Sequence, residues 1–313
     1  MEMVTEAEII TGLLSSAVKL AVPLLLAAIG EIFSERSGVL NLGMEGMMLG
    51  GASAAFIGAY FFNIWVGLLL GMLVGGIIGV IMAFMSVILR RNQIVVGVVL
   101  TIFGAGLSSF LFRMSFGTAA AYPTISGFQS IDVPILSQIP WIGPILFQNN
   151  ILVYIALLAV PVAGIFLYKT THGLKIRAVG ENPRAADSLG VNVIRTRFIC
   201  VVFAGVMGGL AGAYLSIGHM NIFREGMTAG RGYIVLALVI FGTWSPYRAL
   251  AGSLLFGGID ALGSRFQIFK VGIPYQFVLM LPYVFTIVVL ILVSLRKGLT
   301  RGAPAALGTP YER

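Results

Sequence analysis

The chain has 313 residues, of which 58% are hydrophobic and only 10% charged, against about 25% charged in an ordinary soluble domain. That balance excludes a conventional cytosolic enzyme. Twenty Lys and Arg against twelve Asp and Glu leave a net charge of +8, but no stretch is basic enough to follow a nucleic-acid backbone, so no nucleic acid is expected as a partner and membrane topology accounts for the excess.

Residues 46–89 contain no Asp, Glu, Lys or Arg, and similar runs cover 20–30, 92–112, 133–168, 198–223, 232–247 and 271–295. In hydrocarbon the backbone must satisfy itself within a helix or a closed barrel, and continuous apolar runs near 20 residues argue for helices, because barrel strands alternate. The expected fold is therefore all-α and polytopic, with helices near 9–30, 42–60, 65–88, 94–112, 150–168, 198–218, 230–243, 248–264 and 275–295, about nine spans. The run at 46–89 is divided by Tyr60-Phe61-Phe62-Asn63-Ile64-Trp65, an interfacial place to turn. The first span follows Glu2, Glu6 and Glu8 rather than a basic leader and lacks an Ala-x-Ala pattern, so no removable signal is expected. Residues 113–149 hold four of the twelve prolines, from Tyr122-Pro123 to Trp141-Ile142-Gly143-Pro144, and read as a long external loop.

Basic residues set the sidedness. Lys169, Lys175, Arg177, Arg184, Arg195 and Arg197 lie between the fifth and sixth spans, while Arg90-Arg91 and Arg296-Lys297 flank other helix ends. All three groups belong inside. The chain then divides as one transmembrane domain over 1–313: a first helical half at 1–112, an external linker at 113–149, span five with an inner loop at 150–197, a second helical half at 198–295 and an inner tail at 296–313.

Two segments combine charge, glycine and an apolar continuation: the run from Glu31 to Met48, and Asn221-Ile222-Phe223-Arg224-Glu225-Gly226-Met227 followed by Gly230-Arg231-Gly232-Tyr233. Each follows the first span of its half. Five intervening crossings invert one half against the other, which is the arrangement of inverted repeats with two interrupted helices facing a pathway. Gly71, Gly75, Gly76 and Gly79, with Gly205, Gly208, Gly209 and Gly212, recur at three or four residues and suit close helix packing.

Glu45, preceded by Asn41 and Gly43, is a carboxylate in an apolar helix and so a candidate for substrate contact or gating, with capping or pairing as the alternative. Arg231 and Tyr233 occupy the matching place in the second half. Asp260 is expected to pair with Arg265, and His172 and His219 do not suggest a metal pair. Met44, Met47 and Met48 read as packing residues. Cys200, the single cysteine, can form neither an internal disulfide nor a multi-cysteine metal cage. A phosphate-binding loop needs a Gly-Lys pair, which occurs nowhere, so energy must come from a partner or an ion gradient. Between Thr171 and Gly190, Asn182-Pro183 suits a helix start, with Ala185, Ala186 and Leu189 forming one apolar side.

The stretch Gly30–Met48, the segment Arg177–Pro183 with Ala185-Ala186-Asp187, and Gly232–Gly242 closely resemble bacterial ABC importer permeases of the branched-chain amino acid and simple-sugar superfamily. The first segment is most similar to the nucleoside-uptake subgroup. The resemblance covers nearly the whole chain. It implies a transport subunit of the plasma or inner membrane rather than an enzyme, with no cofactor of its own. The implied partners are a second related permease in a heterodimer, a cytosolic ATPase that uses ATP and magnesium, and an external substrate-binding lipoprotein. It implies that Glu181, Asn182, Pro183, Ala185, Ala186 and Leu189 couple to the ATPase, and that Asn41, Gly43, Glu45, Arg231, Gly232 and Tyr233 line the solute pathway. A nucleoside is the expected solute, with ribose, another simple sugar or a branched-chain amino acid as substitutes. An ion-driven carrier and a scaffold without transport are the rival classes.

Overall fold

The computed structural model describes residues 6–117, 123–132, 134, 136–268, 275–295 and 302–312. Eleven α-helices stand among them: α1 (Glu6–Arg36), α2 (Met44–Phe61), α3 (Ile64–Ala83), α4 (Gln93–Phe116), α5 (Ile151–Lys169), α6 (Thr171–Glu181), α7 (Pro183–Ser188), α8 (Val193–Ala213), α9 (Arg231–Phe241), α10 (Pro246–Ile268) and α11 (Tyr275–Leu295). Two of them run on as π-helical turns, α3 through Phe84–Ile88 and α8 through Tyr214–Met220. A helix forms at each of the nine expected places.

The protein is an all-α polytopic membrane protein in which five helices, counted among the described residues, are long and apolar enough to cross a bilayer: Glu8–Arg36, Ile64–Ile88, Gln93–Phe116, Ile151–Lys169 and Val193–Met220. The expected nine crossings shrink to five on that measure. One reason is that α9 has only 11 residues, about 17 Å of helix against a hydrocarbon core of roughly 30 Å. Another is that α2 has only 18 residues and carries Glu45 in its first turn, with four glycines and a serine further diluting its apolar character.

Helix boundaries follow local chemistry. Asn63 accepts from the Val66 backbone N–H at 2.9 Å and caps α3, so the Tyr60–Trp65 turn sits where expected. The α1 helix continues past residue 30 to Arg36, with Pro23 inside it, and α4 continues to Phe116 into the presumed linker. That linker is more structured than a plain loop. Strands β1 (Ser130–Asp132) and β2 (Gln148–Asn150) pair antiparallel, with Ser130 opposite Asn150, and Thr124 bridges to Ile222. At the same end Arg113 forms a two-pronged pair with Glu225, Nε to Oε1 at 2.8 Å and Nη2 to Oε2 at 3.0 Å. These hydrogen bonds hold the Glu225 carboxyl below its usual range.

The core lies where α1, α2 and α8 meet, with Leu24, Leu25, Ala28, Ile29, Met48, Phe56, Ala204 and Tyr214 all buried. The expected glycine packing is present. A Cβ at Gly75 of α3 would fall 2.5 Å from the Gly209 Cα of α8, and one at Gly51 of α2 would meet the same Cα at 2.5 Å. Three backbones therefore approach through one glycine surface, which no side chain could occupy. Met44, Met47 and Met48 are fully buried as expected, and Cys200 is buried and free. The Arg296–Lys297 flank lies outside the described residues. Residues 302–312 fold back under the end of the bundle formed by Arg36, α6 and the start of α8.

Candidate functional site

Seven residues separate α1 from α2, and their turn is built on a buried carboxylate. Glu31 accepts from the Asn41 backbone N–H and from Asn41 Nδ2, both at 3.2 Å, and Asn41 Oδ1 accepts from the Gly43 N–H at 3.1 Å. Asn41 and Gly43 thus shape the entry to α2, and both are held from α1. One helical step later, Glu45 reaches across the bundle to the start of α9. Its Oε1 accepts from Thr228 Oγ1 at 2.6 Å and from the Gly230 N–H at 2.8 Å, and its Oε2 accepts from the Gly232 N–H at 2.7 Å.

The first N–H groups of any helix lack intrahelical partners and carry partial positive charge, so a carboxylate placed there gains both hydrogen bonds and dipole attraction. Gly230 turns the chain into α9 with φ +74°, and a Cβ at Gly232 would lie 2.6 Å from the Glu45 Cα. The starts of the two interrupted segments therefore touch. Of the expected pathway residues, Glu45 and Gly232 are in direct contact, Arg231 is beside them, and Asn41 and Gly43 stand one turn away. Tyr233 is 45% exposed, and no hydrogen bond joins it to Glu45 among the described residues. Glu45 takes the capping alternative, with backbone groups and Thr228 as donors.

Arg231 points its charge elsewhere. Its Nη2 donates to Asp260 Oδ2 at 3.2 Å, with side-chain exposures of 15% and 17%. This corrects the expected pairing of Asp260 with Arg265. Five residues along a helix turn the side chain by about 140°, which sends Arg265 to Gly12 of α1. Beside the Arg231–Asp260 pair is a cavity of about 280 Å³ whose lining includes Leu20, Ile234, Val278, Pro282 and Tyr283. Tyr283 donates to the Ala229 carbonyl at its rim, and the buried Arg231 Nε has no hydrogen-bond partner. Among the described residues no group of three or more His, Cys, Asp or Glu is arranged to hold a metal.

The opposite end of α9 is tied to α1 by residues that sequence reading left unassigned. Glu35 accepts from Trp244 Nε1, and Arg36 donates to the carbonyls of Trp244, Thr243 and Gly302 at 3.2, 3.3 and 3.3 Å. Thr243 and Trp244 both hold positive φ, 48° and 55°, a conformation costly for a β-branched residue and sustained by this ring of donors. The signal for Glu35 was present in the sequence: Glu31 and Glu35 are one turn apart at the end of an apolar helix.

The segment expected to couple to an ATPase packs against this same end. Asn182 accepts from the Ala185 N–H at 3.1 Å, with Pro183 as first residue of α7, as its sequence implied. The single apolar side does not form. Ala186 is buried with Val179, Val193 and Tyr311, whereas Ala185 is exposed and Leu189 is 85% exposed. Positions 185 and 189 share a helix face and 186 is turned by about 100° from 185, so one residue packs inward and two project. Glu181 accepts from the Ala305 N–H at 3.4 Å, which joins the segment to the tail.

The family described as branched-chain amino acid transport system / permease component matches residues 13–294. The chain is 43% identical over 261 residues to TsgC13 of Haloferax volcanii, covering 82% of this chain and 78% of that one; its name gives glucose, provisionally, as the solute of an ABC transporter permease. It is 35% identical to the guanosine ABC transporter permease protein NupQ of Bacillus subtilis, over 97% of each chain. It is 37% identical to the nucleoside ABC transporter permease protein NupC of Lactococcus lactis, over 92% of this chain and 93% of that one. No solved structure matches at a significant level.

Proposed function

Because the chain belongs to the family of branched-chain amino acid transport permease components, it is a permease subunit of an ABC import system, and we propose that its solute is a nucleoside. The observation that carries this solute is full-length similarity to permeases named for guanosine and for nucleosides, at 35% and 37% identity. A second reading, a simple sugar, is favoured by the 43% identity to a relative named for glucose. A route with few charges suits either uncharged solute better than a phosphorylated nucleotide. Membership of the family implies an ATPase and a substrate-binding protein as partners. A second, related permease completing a heterodimer and a lipid anchor on the receptor belong to the proposal.

Within this reading, Asn41, Gly43, Glu45, Arg231, Gly232 and Tyr233 form the moving entrance to the pathway, and Glu181, Asn182, Pro183, Ala185, Ala186 and Leu189 face or support the ATPase contact. The proposed division is two inverted halves, 1–112 and 198–295, with nine crossings. Exchanged packing partners support it: α3 packs on α8 while its counterpart α10 packs on α1, and α1 with α8 and α2 with α9 are contacts between counterparts. An inverted pair related by a two-fold axis in the membrane plane produces this exchange. ATP-driven closure of the motor domains would push the α6–α7 segment, and α1 would carry the push toward the Glu45 cap, since Gly180 lies directly against the Arg36 carbonyl.

The test is uptake by the complete transporter, permeases, ATPase and receptor together, in sealed vesicles loaded with ATP. Labelled guanosine, adenosine, ribose, glucose and leucine are compared. ATP-dependent accumulation of nucleosides, not competed by the sugars or by leucine, is the expected result. Accumulation of glucose or leucine alone overturns the nucleoside reading, and accumulation driven by an ion gradient without ATP overturns the permease mechanism.

A further inference from the structure

The cavity beside the start of α9 has features that helix packing does not explain. It is about 280 Å³, just under the roughly 300 Å³ at which ligand pockets begin, so it suits a single ring. Most of its walls are apolar, from Leu20, Ile234, Ile259, Val278 and Pro282, and its polar groups converge from α9 and α10. Arg231 and Asp260 meet there through one hydrogen bond of 3.2 Å. The remaining contacts of Arg231 are long: Nη1 lies 3.4 and 3.5 Å from the carbonyls of Met227 and Thr228. Its Nε, a buried donor, has no partner. A buried donor without an acceptor is costly, and a half-satisfied ion pair is weak evidence of a purely structural role.

We propose that this cavity binds the sugar ring of the transported solute, with two neighbouring hydroxyls held by Arg231 and Asp260. A hydroxyl oxygen can accept from Arg231 while its neighbour donates to the Asp260 carboxylate, and the apolar walls cover the ring's C–H face. The pair is neutral as a unit, so it receives a neutral ring without importing charge. The assignment rests on the reading that the solute carries a sugar, which a nucleoside and a simple sugar share. The cavity also reaches Ala229, one residue from Gly230, which donates to Glu45. Occupancy is therefore sensed next to the cap that joins α2 to α9.

The experiment uses the complete reconstituted transporter, with its receptor saturated in turn by guanosine and by 2′-deoxyguanosine, so that receptor affinity cancels between permease variants. A buried hydrogen bond left unmade predicts that the wild-type permease passes guanosine about tenfold faster or more. Asp260→Asn and Arg231→Gln should bring that ratio close to one, because guanosine then loses the contact that 2′-deoxyguanosine never made. Equal loss of both solutes in these variants, or an unchanged ratio, overturns the site and leaves nucleoside transport standing. Uptake of neither nucleosides nor sugars by the wild type overturns the solute reading, and the site falls with it. Should the charge variants fail to assemble, Ser264→Leu fills the cavity, since Ser264 of α10 also lines it from an exposed position outside the pair. It should cut guanosine uptake several-fold at normal membrane abundance, and full uptake by this variant also overturns the proposal.

Discussion

Glu45 shows what a single residue could and could not announce. A carboxylate at the start of an apolar helix is expensive, and that cost alone marked it, together with Asn41 and Gly43, as worth explaining. Its partners are Thr228 and the backbone N–H groups of Gly230 and Gly232, and backbone donors have no sequence signature, so which groups it caps became visible only in three dimensions. Arg231 failed to reveal its partner for a related reason. Asp260 lies 29 residues away, and the nearer Arg265 competed for it on sequence distance alone. The close approach at Gly232 gives a sharp prediction. Gly232→Ala forces a Cβ against the Glu45 backbone, where neither side can yield, and should cost about 1–3 kcal/mol or prevent folding. Gly258→Ala, in α10 with nothing within 4 Å, should be neutral or stabilising by up to about 1 kcal/mol. Thermal unfolding of the purified variants in detergent compares them, and equal melting temperatures would contradict the packing described for α2 and α9.

At the level of elements, helix positions were the most legible feature, because long charge-free runs have few alternatives in a bilayer. Helix ends and lengths were less so. The run of α1 to Arg36 depends on Glu31, Glu35 and Arg36 finding Asn41, Trp244 and the Thr243 carbonyl, and the last two lie 209 and 207 residues away. The α7 face was misread because Ala185, Ala186 and Leu189 are alike in chemistry, and only Ala186 meets Val179, Val193 and Tyr311. That difference separates two variants. Leu189→Arg, on a side chain 85% exposed, should leave melting temperature unchanged and reduce receptor-stimulated ATP turnover by severalfold or more if this surface meets the motor. Ala186→Arg should instead destabilise the permease by roughly 3 kcal/mol or more, since it buries a charge with no place for it. Full coupling by the Leu189 variant would remove the C-terminal end of the α7 segment from the motor contact.

Across the whole molecule, two ends of the bundle are fastened differently. At one, Arg113 with Glu225 and the Thr124–Ile222 bridge join the linker region to the loop before α9. At the other, the tail returns as a strap: Arg197 donates to the Ser37 and Thr309 carbonyls at 3.1 and 2.9 Å, Ala306 donates to the Gly180 carbonyl and Gly308 to the Gly38 carbonyl. No hydrophobicity pattern predicts such a strap, since the tail enters these bonds through its backbone groups. Deleting residues 302–313 leaves buried Arg197 short of an acceptor and should lower stability by about 2 kcal/mol or more, read as a fall in melting temperature. An unchanged melting temperature would assign the tail no fastening role. The Glu45 bridge has a consequence for hydration. If α2 and α9 part during transport, the carboxylate and the first N–H groups of α9 lose each other in an apolar interior, and each needs a replacement. Water is the neutral species that can both donate to Glu45 and accept from Gly230 and Gly232. The opening step must therefore admit water at that point, so the entrance wets before the solute can pass it.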